Sequence, residues 1–502
     1  MIIVLLLAAI CAVQFILKIP YFKLPLDRDY GAHGYIAYSM LKRKGVLYRD
    51  LYESKTPGIK LMYMLAIKWF GISRKAFRLF FALYNTLTTI AVYALTARLS
   101  SPAAGLAAAA FYAVFSSMPS LWWHFSNTEC YYVLPAVASF LCLAYGNAHD
   151  PALALLCIGL SGFFGAVTFM FKQPSLISTA APAGLFLLLY APHNRFVDIG
   201  LYSAGFVIPV IMFFTYFTLM KKTPWDKLPF SMKSMSTLKK YLTTPLFKVS
   251  RGTIESNRRR FRTIFYDIIF LFAFSLGGAI FLILSAPSQA IMVIPWIALS
   301  FFAAIISRTY LPYHFIPPVP PMCVMSGIVL SAAVATMGSP SHILVPADAL
   351  TLGAAAALLL VTIYHLVKDL LLPPEMLGVF YSGEDQMYAV CEEVGKYIKS
   401  VTTEDDYVYS WGSEPEIYLW SERKAPVYCI YPPIVNPAVF TKDQVTAEFA
   451  QLLANKPKYF ALTAQFGSFK EFEQIIVTHY ELEKKFEPYL YLFKLRQQPQ
   501  AA

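Results

Sequence analysis

The sequence predicts a polytopic α-helical membrane protein with about eleven transmembrane helices and a soluble C-terminal α/β domain. Composition is the first reason: of 502 residues, 57% are hydrophobic and 14% charged, and the mean hydropathy is +0.52, more apolar than a water-facing protein tolerates. Second, continuous apolar runs of about 17 to 25 residues recur, the length that a roughly 30 Å hydrocarbon core demands. Third, the character changes near residue 374, where charge rises and short β-like runs alternate with amphipathic stretches.

The runs lie near 1–20, 77–97, 103–119, 131–147, 152–171, 174–191, 199–220, 265–286, 289–306, 315–337 and 343–366. They are continuous and not dyad-alternating, so helices, and not barrel strands, satisfy their backbones within the bilayer. Residues 1–373 therefore form a transmembrane domain and 374–502 a soluble α/β domain. Within the latter, Asp406 to Trp411, Tyr459 to Thr463 and Tyr489 to Leu495 read as strands and Thr441 to Asn455 as an amphipathic helix. The seven cysteines show no metal-ligand spacing. Most read as small apolar packing residues, and a pairing of Cys391 with Cys429 is left open.

Charge divides along the same line. Residues 374–502 hold 12 Lys/Arg against 18 Asp/Glu, whereas the first 373 hold 30 against 12. None of those twelve acids falls in the middle of a run, which disfavours an ion-coupled transporter, because such proteins keep costly ionisable groups near the midplane for use. Four acids, Asp27, Asp29, Asp50 and Glu53, crowd the loop after the first run, and Glu129 lies in the loop after the third. Both loops follow odd-numbered runs and share one side of the membrane, as does the segment 221–262, with 12 Lys/Arg against two acids. Carboxylates beside a cationic surface suit chemistry on a phosphorylated, membrane-held substrate, since the carboxylates take protons while the cations hold phosphate. The plainer reading of the basic segment is a solvated stretch touching anionic lipid, and the positive-inside rule places it in the cytoplasm. The loops on the other side are short and nearly free of charge, so charge alone settles neither orientation.

The first loop reads Leu26-Asp27-Arg28-Asp29-Tyr30-Gly31-Ala32-His33-Gly34-Tyr35-Ile36-Ala37 and later Tyr48-Arg49-Asp50, then Lys55-Thr56-Pro57-Gly58. The stretch Gly58 to Gly71 is apolar, broken by Lys60 and Lys68, and too short to span, so it is expected at the interface. Downstream stand Asn127-Thr128-Glu129, Phe171-Lys172-Gln173-Pro174 and the aromatic stretch Arg308 to His314. In this register the sequence resembles the bacterial membrane glycosyltransferases of the GT-C class, related to protein O-mannosyltransferases and the lipid A aminoarabinose transferase. Arg28-Asp29, Tyr35-Ile36-Ala37, Tyr48-Arg49-Asp50 and Lys55 with Pro57 match that family's first-loop pattern. Tyr30, Ala32 and Gly58 depart from it, and the first two replace acids.

The resemblance implies an inverting transfer from a polyprenyl-phosphate sugar donor to a glycan, lipid or protein acceptor, at a periplasmic site in the bacterial inner (plasma) membrane. Membrane lipids are then partners and nucleic acid is not. Asp29 is the candidate catalytic base; by residue type alone it could equally cap the helix that follows. Asp27 and Asp29 form an Asp-x-Asp that could hold a divalent cation, Mg²⁺ or Mn²⁺, against a phosphate, and no other cofactor is expected. Lys55 and Lys172 are candidates for the donor phosphate, although snorkelling of Lys172 to the headgroups explains its position as well. Glu53 and Glu129 are candidates for sugar hydroxyls, and Gln173, Arg308, Tyr310 and His314 complete the expected substrate-binding set. Two rivals stand beside this reading: a lipid-linked saccharide flippase or non-catalytic membrane partner, and a transferase using a soluble nucleotide sugar. The second would want a cytosolic nucleotide-binding fold, for which no glycine pattern is found. The C-terminal domain reads as an acceptor-docking or structural module.

Overall fold

A computed structural model describes residues 1–53, 55–229, 251–306, 310–337, 385–412, 414–430, 442–463, 470–488 and 490–496, with single helical positions between 353 and 371. Among the described residues the helices begin with α1 (Ile2–Lys18), α2 (Arg28–Lys42), α3 (Gly58–Phe70), α4 (Arg74–Leu99), α5 (Pro102–Phe115) and α6 (Thr128–Ala144). They continue with α7 (Pro151–Phe169), α8 (Ala181–Leu189), α9 (Arg195–Thr215), α10 (Arg251–Ser285), α11 (Pro287–Ile306) and α12 (Val319–Met337). The chain then runs α13 (Asp385–Val401), β1 (Val408–Trp411), α14 (Glu416–Ser421), α15 (Lys442–Asn455), β2 (Tyr459–Thr463), α16 (Lys470–His479), β3 (Tyr480–Phe486) and β4 (Leu490–Leu495). It folds as two compact units: Met1–Phe22 with Arg78–Phe217 and Tyr241–Pro373, and Lys23–Phe77 with Thr218–Lys240 and Pro374–Ala502.

The first unit is the membrane part of a multi-pass protein. Six helical segments are long and apolar enough to cross a bilayer: Ile2–Lys23, Arg74–Leu99, Pro151–Phe169, Arg195–Met220, Ile268–Ser285 and Pro287–Ile306. The shorter apolar helices Pro102–Phe115, Thr128–Ala144, Leu176–Leu189 and Val319–Ala335 coincide with four more of the expected runs. The run near 343–366 lies outside the described residues, apart from single helical positions. Polar side chains in this unit turn inward and bond to one another, as lipid requires. Gln14 donates to Ser116 Oγ at 2.7 Å and accepts from Thr89 at 2.7 Å, while Asn85 donates to the same Ser116 at 2.9 Å and accepts from Tyr112 at 2.9 Å. Helices α7 and α9 approach so closely at Gly162 that a Cβ there would lie 2.0 Å from the Tyr202 carbonyl oxygen.

The second unit is built on a four-stranded sheet in the order β1-β2-β4-β3, with β1 and β2 parallel and the other pairs antiparallel. Alternate residues face opposite layers, as strand geometry dictates. Val408, Tyr459, Ala461, Leu490 and Leu492 pack on Cys391, Val394 and Ile398 of α13. Tyr409, Trp411 and Phe460 pack on Leu452 of α15 and, at the edge of that cluster, Ile475 and Ile476 of α16. Cys391 and Cys429 are both buried and are not joined in a disulfide. Strand β3 was not expected: its run Tyr480-Glu481-Leu482-Glu483-Lys484-Lys485-Phe486 buries only its two ends, so it carries an edge strand's charge and a weak apolar signal.

The loop after the first span belongs to this second unit, and its central helix α2 packs against α14. Gly31 makes the approach possible, since a Cβ there would lie 2.3 Å from the Glu416 backbone nitrogen, a separation no side chain tolerates. Two long-range hydrogen bonds extend the seam. The Ala425 N–H donates to the Tyr35 hydroxyl at 2.7 Å, and the Arg43 guanidinium donates to the Glu422 carbonyl at 2.7 Å.

Candidate functional site

Each unit brings together part of the expected residue set. In the second, α2 begins at Arg28 because Asp27 is its N-cap: the backbone at Asp27 is extended and its carboxylate accepts from the Tyr30 N–H at 2.9 Å. The capping role that residue type allowed for Asp29 thus falls to Asp27. Asp29 sits in the first turn of α2, at the positive end of the helix dipole, where a negatively charged side chain is favoured.

The Asp29 charge is felt by Lys60, which α3 carries into the interior of the same unit. The Lys60 side chain has no solvent exposure and forms an ion pair with Glu53. The other Glu53 oxygen accepts from the Lys55 N–H at 2.8 Å, so one carboxylate joins the Lys55 loop to α3. Burial pulls the Lys60 ammonium down to about 8; Glu53 opposes that pull and the neighbouring Lys55 adds to it. Burial acts to raise the Glu53 carboxyl, but Lys60 and Lys55 outweigh it and hold the group below its ordinary range. One turn beyond Lys60, Tyr63 packs on Tyr30 at 5.6 Å and on His33 at 5.7 Å between ring centroids, which fixes α3 against α2. Lys60 was not among the expected site residues. Its signal was a cation interrupting an apolar stretch just after Lys55-Thr56-Pro57-Gly58.

A second unexpected residue, an acid, lies on the helix packed against α2. Glu416, on α14, is fully buried, and its carboxyl is pushed well above the usual carboxylate range by burial first and by Glu414 next. Arg28 opposes that shift and Asp27 adds to it, which places the Glu416 carboxyl within electrostatic reach of the start of α2.

In the first unit, Asn127 caps α6 by accepting from the Thr128 N–H at 2.7 Å, and Glu129 follows in the first turn, 3% exposed at its side chain. Glu129 forms an ion pair with Lys172, and His314 Nε2 stands 3.7 Å from the same Glu129 oxygen. The Lys172 ammonium lies 5.7 Å from the centre of the Tyr313 ring. Three residues from three sequence-distant motifs therefore meet: Asn-Thr-Glu, Phe-Lys-Gln-Pro and the aromatic stretch. Gln173 forms the turn after α7, its carbonyl accepting from the Leu176 N–H at 3.0 Å. Tyr310 adopts a left-handed φ of +43° and packs on Phe315 and Phe261, an aromatic cluster distinct from the carboxylate–lysine pair. Arg308 lies outside the described residues, as does the part of the cationic segment between 230 and 250.

Asp27 is engaged as a cap, and no cluster of three His, Cys, Asp or Glu that could hold an ion occurs among the described residues. What the two clusters share is a buried carboxylate paired with a lysine, Glu53 with Lys60 and Glu129 with Lys172.

Comparison with solved structures places the fold. ArnT from Cupriavidus metallidurans bound to undecaprenyl phosphate superposes with a TM-score of 0.62 at 14% identity, over 98% of this chain and 97% of that one. The arabinofuranosyltransferase AftD from Mycobacteria matches at 0.52 and 12% identity, over 98% of this chain and 40% of that one. The archaeal oligosaccharyltransferase AglB from Archaeoglobus fulgidus, in complex with an inhibitory peptide and a dolichol-phosphate, matches at 0.50 and 12%, over 92% and 69%. The GT-C fold expected from the first-loop motifs is therefore the fold of this chain. A protein-family profile described as "Putative competence-induced protein Ccs4 C-terminal domain" matches residues 390–494. No curated protein matches the sequence.

Proposed function

We propose that this protein is an inverting glycosyltransferase that moves a sugar from a polyprenyl-phosphate donor to an envelope glycan, lipid or protein, on the periplasmic side of a bacterial inner membrane. The observation that carries this reading is the fold shared along nearly the whole chain with an undecaprenyl-phosphate-bound protein, together with Asp29 at a helix N-terminus near the Lys60–Glu53 pair. In the transfer, Asp29 takes the proton from the acceptor hydroxyl as its oxygen attacks the anomeric carbon. The bond from that carbon to the phosphate oxygen breaks on the opposite face, and the polyprenyl phosphate leaves with the electron pair. The leaving group is already a stable anion, so no general acid is required; Lys55, in the same unit as Asp29, holds the phosphate as charge develops on it.

The test is lipid analysis of membranes from a deletion strain. Accumulation of a polyprenyl-phosphate sugar, reversed by the wild-type chain and not by Asp29→Asn, is the expected result. Unchanged lipid-linked sugar, with the envelope glycans, lipids and proteins also unaltered, would overturn the proposal.

A further inference from the structure

The second unit contains a cavity of about 490 Å³ that the proposed transfer chemistry does not use. That volume falls within the roughly 300–1,000 Å³ range of small-molecule sites. Three stretches distant in sequence line it: Arg49, Asp50 and Tyr52 from the first loop, Lys227, and the irregular segment 425–428 backed by Gln451 and Asn455 of α15. Hydrogen bonds lock these stretches together. The Tyr52 N–H donates to the Tyr428 carbonyl at 2.9 Å, the Tyr428 hydroxyl to the Tyr48 carbonyl at 2.6 Å, and the Asn455 amide to the Pro426 carbonyl at 2.6 Å. Lys227 donates to the Arg49 carbonyl at 3.2 Å.

The chemistry of the lining is that of a saccharide site. Tyr52, Tyr407 and Tyr428 offer apolar ring faces with polar rims, suited to the C–H face of a pyranose. Gln451 accepts from the Tyr428 N–H at 3.1 Å, which fixes its amide and leaves the NH₂ to donate. The charges are unequal. Arg49 and Asp50 neutralise each other through two bonds of 2.8 and 2.9 Å, whereas the exposed Lys227 ammonium stands 4.5 Å from the centre of the Tyr428 ring as a second cation. The lining side chains thus carry one net positive charge over an aromatic floor, with Asp226 acting on the same Tyr428 from outside the lining, and Lys227 is the group placed to pair an anionic substituent.

We infer that this cavity binds a one- or two-residue segment of an acidic glycan, and that it is the docking site for the acceptor. The second half of the inference rests on the proposed glycosyl transfer; the first half does not.

The experiment separates the two. The full-length protein in nanodiscs is acetylated with a water-soluble amine reagent and Lys227 is followed by mass spectrometry, with Lys222 as the reference. A uronic-acid-containing disaccharide should slow Lys227 acetylation about threefold or more without affecting Lys222, and Gln451→Ala should remove that protection. No protection of Lys227 would overturn the proposal. So would equal protection by lactose, which lacks the charge, or by inorganic phosphate, which lacks the sugar. In a transfer assay, Lys227→Gln should raise the acceptor KM about tenfold and leave the donor KM unchanged. An altered donor KM alone would overturn the docking role. Protection by the acidic disaccharide in a protein that transfers no sugar would leave the binding site standing and remove the transferase reading instead.

Discussion

Glu53 holds the Lys60 ammonium at a position where the lysine has no solvent exposure and the carboxylate only a tenth of its own. A buried pair of this kind contributes little net stability, because desolvating both charges costs about as much as their attraction returns. It does fix geometry. Removing one partner strands the other, typically at a cost of roughly 3–5 kcal/mol, so the pair ties the Lys55 loop and α3 into one rigid arrangement.

The alkaline limb of activity should follow Lys60. Its proton is lost as pH rises through about 8, well below the ordinary lysine value of about 10.4. Above that pH, Glu53 faces a neutral amine and the local positive charge is gone. Transfer should therefore decline above pH about 8, and Lys60→Arg should move the decline upward, because a guanidinium keeps its charge throughout the accessible range. A pH–rate profile identical in the two proteins would separate Lys60 from the limb.

The contact of α2 with α14 should be intolerant of a single methyl group. In Gly31→Ala the new Cβ meets the Glu416 backbone, which cannot move without the helix, and the expected loss is roughly 1–3 kcal/mol. Gly34→Ala should cost less, since its nearest neighbour is the Leu419 Cδ2 at 2.7 Å, the far end of a side chain that can rotate. Thermal unfolding in detergent ranks the two variants.

Ten of the eleven expected apolar helices and three of the four strands were legible in the sequence because each is written locally: a run of apolar residues, or alternation over a few positions. The first-loop motifs that carry the resemblance were legible too, with Asp29 and Lys55 as candidates. Lys60 and Glu416 were not, because burial of a charged side chain depends on what the chain brings over it from far away. In sequence, Lys60 interrupts an apolar helix like any snorkelling lysine, and Glu416 sits in the run Glu414-Pro415-Glu416 like any loop acid. Asp27 and Asp29 are two residues apart, and only the start of the helix decides which one caps it. The meeting of Glu129 with Lys172 and His314 joins motifs more than forty residues apart, which no local pattern encodes.

Glu416 should weaken the fold at neutral pH. Burial and Glu414 raise its folded pKa well above the value near 4.3 of an unfolded chain. Below about pH 4.3 both states hold the proton and the residue is neutral in its effect. As pH rises from there toward the folded value, the unfolded state releases the proton and is favoured. Glu416→Gln removes that dependence. Its melting temperature should exceed that of wild type at pH 7.5 and converge with it near pH 4. A gap independent of pH would indicate that Glu416 is charged in the folded protein.

The last prediction separates two acids that stand two residues apart. Asp27→Asn should leave both stability and turnover close to wild type, since Asn caps a helix about as well as Asp, whereas Asp27→Ala should destabilise by about 1 kcal/mol through loss of the cap to the Tyr30 N–H. Asp29→Asn should behave in the opposite way. The cap is intact, the side chain keeps its shape, and expression and donor binding should be retained, yet the amide cannot accept the proton that a carboxylate takes. Turnover should drop by roughly 10²- to 10⁴-fold, the span typical of a lost general base. The loss should fall on kcat and hardly on the donor KM, because proton transfer strengthens only in the transition state. Purified variants assayed with a defined donor and acceptor provide the measurement. Near-normal kcat for Asp29→Asn would rule it out as the base and direct attention to Glu53 and Asp50, while equal failure of Asp27→Asn and Asp29→Asn would mean that the two carboxylates act as one unit.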